Sequence, residues 1–138
     1  MKLRHVLLSL AIVLSAGAVQ AADSAIALGE STYGVRCALC HGAEGKADTD
    51  IVGLLRQPPA DLTKLSERAG GAFPFSDVYH IIVDGMEAVG HGGSDMPIWG
   101  DYFIADALED RGITTADAIH ITQGRILSLV YYLESIQE

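Results

Sequence analysis

The chain has 138 residues, 49% of them hydrophobic, and carries 9 Lys and Arg against 18 Asp and Glu, a formal net charge of −9. That balance argues against a nucleic-acid partner, because phosphate binding rests on a basic footprint. It suits partners with positive surfaces instead.

The first element is Met1–His5, with Lys2 and Arg4, followed by the apolar run Val6–Val19. Charge followed by an apolar stretch and small residues is the order of a secretory signal peptide. Residues 1–21 are read as that signal, with Val19 and Ala21 at the −3 and −1 positions; cleavage after Ala22 is nearly as good a fit. The rival is a retained anchor, but Leu7–Val19 spans 13 residues and a membrane-crossing helix needs roughly 20. Residues 22–138 then form one domain of 117 residues, placed in the periplasm without stable membrane insertion. Its charge is −11, since Lys2 and Arg4 leave with the signal and 7 basic residues face 18 acidic ones.

Ser24 is expected to cap a helix over 25–40, whose apolar positions Ile26, Leu28, Tyr33 and Val35 lead into Cys37. Periodicity disappears from Gly42 to Asp61, which reads as an extended loop stiffened by Pro58 and Pro59. Asp61 is placed to cap a short helix Leu62–Arg68 that Gly70 and Gly71 stop. A further helix is predicted from Ser76 or Asp77 to Val83, with Val78, Ile81 and Ile82 as its buried stripe and Gly85 as terminator. Residues 85–100 hold five glycines and one proline around Met86, Met96 and Trp99, a composition suited to wrapping closely against something. Helices over Trp99–Asp110 and Asp117–Ser135 complete the chain, the latter facing Ile126, Leu129, Val130 and Leu133 inward. No strand alternation is visible. The expected fold is all-α, four to five short helices, with a protein core that is thin for its loop content.

Both cysteines lie in Cys37-Ala38-Leu39-Cys40-His41, the C-x-x-C-H arrangement of c-type haem attachment. Two thiols three residues apart on a helical turn can each form a thioether with one vinyl group of a haem, and the histidine that follows can bind the iron through Nε2. One haem c per chain is therefore expected. A C-x-x-C thiol redox centre belongs near a βαβ pattern, which is missing. A structural zinc site needs a second ligand pair, and His80, His91 and His120 do not form one.

An electron-transfer haem usually takes a second protein ligand, and a methionine thioether raises its potential. Met96 is assigned this role: Pro97 holds its backbone extended, and Trp99 can cover a flat cofactor edge. Met86, beside a helix terminator, and His91 are the alternatives.

Cys37-x-x-Cys40-His41 together with Met96-Pro97-Ile98-Trp99-Gly100 resembles the class I monohaem cytochromes c of the bacterial periplasmic type and the related cytochrome domains of membrane oxidases. The resemblance spans about residues 25–137. It implies the class I cytochrome c fold, helices wrapped around one covalent haem attached after export. It also implies a first helix crossing the last, with Gly29 and Tyr33 meeting Leu129 and Tyr132. A backbone carbonyl should accept the Nδ1 proton of His41, and Pro58 or Pro59 is the expected source. Arg56 is a candidate partner for a haem propionate. The lysine-rich surface of mitochondrial-type members is missing, so their partners do not carry over.

The implied function is one-electron transfer between redox proteins of unspecified identity, with His41 and Met96 ligating iron in both oxidation states and no residue acting as acid, base or nucleophile. The rivals are a five-coordinate haem enzyme or gas-binding protein of the same fold, and a haem subunit of a membrane oxidase or dehydrogenase.

Overall fold

Helical spacing of apolar residues and well-placed caps divide the chain into short helices. The structure, a computed structural model, describes residues 22–85, 96–110 and 112–138. The signal segment, Met86, His91 and the greater part of the glycine-rich stretch lie outside the described residues. Among the described residues there are six α-helical segments, two 3-10 turns and no strand. None of these helices is long and apolar enough to cross a membrane.

Helix α1 covers 22–36, so Ser24 lies inside it and does not cap it. The Cys37 amide bonds to the Tyr33 carbonyl at 2.8 Å, and the His41 amide to the Cys37 carbonyl at 2.9 Å. The chain therefore turns helically through the motif, and Ala38–His41 forms α2 as a near-continuation of α1. The loop that follows contains a 3-10 turn, Asp50–Leu54, where only extended chain was expected; the Val52 amide closes it on the Thr49 carbonyl at 3.2 Å. Asp61 caps as predicted, accepting from the Thr63 amide at 2.9 Å and the Thr63 hydroxyl at 2.7 Å. Those bonds, the Thr63 hydroxyl first, hold its carboxyl below the usual carboxylate range. The capped turn is 3-10 over Leu62–Lys64 and becomes α3 at Leu65–Arg68.

Helix α4, Phe75–Asp84, begins one residue earlier than expected, behind Pro74. It ends where Gly85 returns its amide to the Ile81 carbonyl at 3.0 Å. Helix α5 is Trp99–Leu108, two residues shorter than expected. Helix α6, Thr115–Ser135, starts two residues before Asp117 because Thr114 is the cap. The Thr114 hydroxyl accepts from the Asp117 amide, and the Asp117 carboxylate accepts from the Thr114 amide, both at 3.2 Å. Asp117 is thus the far half of a capping box.

Helix α5 packs on α6, and α4 touches both. Phe103, Ile126, Leu129 and Val130 fill the space between them, and Tyr33 brings α1 to the same core. The contact of α1 with α6 depends on Gly29: a Cβ there would stand 2.0 Å from the Ser128 carbonyl oxygen and 2.8 Å from the Tyr132 Cβ. Tyr33 and Tyr132 lie alongside, their ring centroids 5.2 Å apart. The pairing of Gly29 and Tyr33 with the Leu129–Tyr132 stretch is therefore present. Gly29→Ala gains about 1 kcal/mol of helix propensity. The clash is with backbone that cannot rotate away, so we expect net destabilisation of about 1–3 kcal/mol, read as a lowered denaturant midpoint. An unchanged or raised midpoint would show that the two helices separate freely. Gly100 plays a matching part, since a Cβ there would lie 2.6 Å from the Val83 carbonyl oxygen. The start of α5 rests directly on the last turn of α4, and this contact locates Met96, four residues upstream.

Candidate functional site

Cys37, Cys40 and His41 come to one place because the α1–α2 run winds them around a single turn. Tyr33, one turn earlier, donates its buried hydroxyl to the Gly42 carbonyl at 2.7 Å, tying the end of that turn back to α1. Burial pushes the Tyr33 phenol well above its usual value, so the donor stays protonated.

These residues line a cavity of about 360 Å³, within the roughly 300–1,000 Å³ of cofactor and small-ligand sites. Met96, Pro97 and Trp99 line it from the segment entering α5. Leu65 of α3, Val78, Ile81 and Ile82 of α4, and Leu129 and Leu133 of α6 supply most of the remaining apolar wall. Met96 and the Cys37–His41 turn, far apart in sequence, thus meet across one apolar space. Ile81, expected in the buried stripe, is only half-buried and faces this cavity, while Val78 and Ile82 are buried.

Trp99 holds its place by ring contacts with Tyr102 at 5.3 Å and Phe103 at 5.4 Å. Ile98, just before it, is extended, with φ −78° and ψ 97°. Pro97 and the Gly100–Val83 contact bracket the Met96 backbone on its C-terminal side.

The carbonyl facing His41 belongs to Ala60, which corrects the expectation of Pro58 or Pro59. His41 Nδ1 stands 3.3 Å from the Ala60 oxygen, and the ring protonated at Nδ1 donates to it. The prolines and Ala60 all line the cavity, and the residues just beyond Ala60 are held from several sides. The Leu62 amide donates to the Gly45 carbonyl at 2.7 Å. Gln137 donates to the Leu62 carbonyl at 2.8 Å and accepts from the Ser66 amide at 2.9 Å. Glu138 pairs with Lys46 at 3.0 Å and Lys64 at 3.4 Å. The chain end thereby buckles residues 60–66 under His41. Sequence reading missed Ala60 and Gln137, and no local pattern marks either.

Burial lowers the His41 imidazole below its usual value, with the Ala60 bond opposing the shift. The ring is kept neutral, its Nε2 available as a lone-pair donor. Burial, and then the neighbouring Cys40, push the Cys37 thiol up to about 12. Such a thiol is a poor nucleophile, unlike the low-pKa cysteine of a dithiol redox centre. Among the described residues no three His, Cys, Asp or Glu side chains gather into a metal-ion site.

Arg56 is exposed and does not line the cavity; Arg36 and Arg68 do. The arrangement is an apolar slot with two thiols, one neutral imidazole and one thioether, suited to a flat hydrophobic group bearing a metal. No family model, curated protein or solved structure matches the chain, and it stands as a small all-helical protein with a C-x-x-C cysteine pair.

Proposed function

We propose that this protein is an exported one-electron carrier of the class I cytochrome c kind, working in the periplasm with one haem c bound through Cys37 and Cys40. His41 and Met96 would hold its iron. The observation that carries this reading is that both cysteines, the histidine and the methionine line one apolar cavity. The donor set fits the group: two thiols for two vinyls, and a nitrogen and a sulfur for iron.

When bound, haem supplies a reversible Fe(III)/Fe(II) couple. The chain's own residues would hold it in place. The Ala60 carbonyl fixes the plane of the His41 ring and strengthens its donation. Apolar side chains of α3, α4 and α6 give the slot its mostly apolar wall. Pro97 and the seat of Gly100 on Val83 restrain Met96. Ligands that stay in place in both oxidation states keep reorganisation small. No acid, base or nucleophile is called for, and the donor and acceptor are redox proteins with positive surfaces that complement the acidic chain.

The raised Cys37 thiol disfavours a dithiol redox function. Intact mass of the denatured protein tests the proposal: the expected value is the mature polypeptide plus one haem. A bare polypeptide mass, with any haem extracted by acidified solvent, would overturn it.

A further inference from the structure

One carboxylate is shared by two guanidinium groups, one of which lines the cavity. Asp106 of α5 accepts from Arg36 Nη2 at 3.2 Å on one oxygen and from Arg125 Nη1 at 2.6 Å on the other. The three side chains come from α1, α5 and α6 and are each about 30% exposed. Both cations also lie over aromatic rings: Arg36 over Tyr102 at 4.9 Å and Arg125 over Phe103 at 5.0 Å. Those rings are the ones that hold Trp99. Of the trio, Arg36 lines the cavity, immediately before Cys37.

Two cations and one anion leave a net charge of +1, fixed in position, in a chain whose acids outnumber its bases two to one. A half-buried charge is screened by salt far less than an exposed one. We propose that the Arg36–Asp106–Arg125 trio sets the midpoint potential of the cofactor. Its net positive charge at the cavity wall favours the reduced state, and Asp106 limits how far the potential rises. The proposal rests on the haem reading above. The iron site loses one positive charge on reduction, so a neighbouring cation stabilises the reduced form relative to the oxidised one.

The signs are opposite at two touching residues, which separates a charge effect from a packing effect. Arg36→Gln takes the trio to neutral and is expected to lower the midpoint, decreasing the reduced fraction at fixed poise several-fold. Asp106→Asn takes it to +2 and is expected to raise the midpoint. The double substitution restores +1 and should return toward wild type.

The experiment is a redox titration of the purified holoprotein and these variants, with the weak red ferric band of methionine ligation followed in parallel. Midpoints that move in opposite directions with the band retained support the proposal. Midpoints that move the same way, or do not move, overturn it. Where either substitution costs the band, the same charge change is read at Arg125→Gln, away from the cavity wall: a lowered midpoint supports the proposal and an unchanged one overturns it. Failure of the haem reading itself is recognised separately, by a wild-type protein whose intact mass includes no haem.

Discussion

Replacing both Cys37 and Cys40 with Ala is expected to leave little stable protein. The walls of the cavity come from α1 to α6, so the space between these helices is left unfilled by protein. An unfilled cavity costs roughly 24 cal/mol per Å³. For about 360 Å³ this reaches about 9 kcal/mol as an upper bound, since water entering an open slot relieves part of it. Whole domains are stable by only about 5–15 kcal/mol. A group bound only by the native state shifts the folding equilibrium toward that state, and covalent attachment keeps it there. The double variant should therefore show a broad thermal transition at low temperature, or none. Cooperative unfolding close to the wild-type midpoint would show that the helices pack adequately without the cofactor, and that the cavity is incidental to stability.

Met96→Ala is expected to change the kind of protein this is. Its thioether is the sulfur donor that the described part of the chain brings to the cavity wall from the α5 side. Loss of that donor removes a ligand that favours the reduced state, so the midpoint potential falls. The weak red ferric band of methionine ligation should vanish, and rapid carbon monoxide binding should appear, as in a five-coordinate haem protein. The fold should survive, because α5 is still seated by Gly100 on Val83 and packed against α6. Met86→Ala is the paired control, expected to retain the band and the potential. If instead Met86→Ala loses both and Met96→Ala loses neither, the two methionines exchange roles and the 85–100 segment takes another register.

The features legible in the sequence are those whose physics is local. A cysteine pair and a histidine within one helical turn can be recognised by spacing alone as the C-x-x-C-H pattern. Asp61 and Gly85 act on backbone groups within a few residues of themselves, and each does what its type suggests. The boundaries that shifted did so for equally local reasons that pattern reading underweights: Thr114 and Asp117 cap reciprocally, so the helix starts earlier than the more prominent Asp117 indicates. Gly29 was legible only through the resemblance, since a glycine at a helix crossing looks like any other until its partner is known.

Tertiary structure decided the rest. That Ala60, and neither proline before it, presents its carbonyl to His41 follows from bonds to Gly45 and from the Gln137 clasp on Leu62 and Ser66, more than 70 residues away in the chain. Arg36, which lines the cavity, is paired with Asp106, 70 residues beyond it in the chain. A carbonyl or a guanidinium has no directional preference in sequence. It acquires one only when distant helices close around it, which is why the amino-acid sequence alone shows the C-x-x-C-H pattern and the packing alone decides which groups face it.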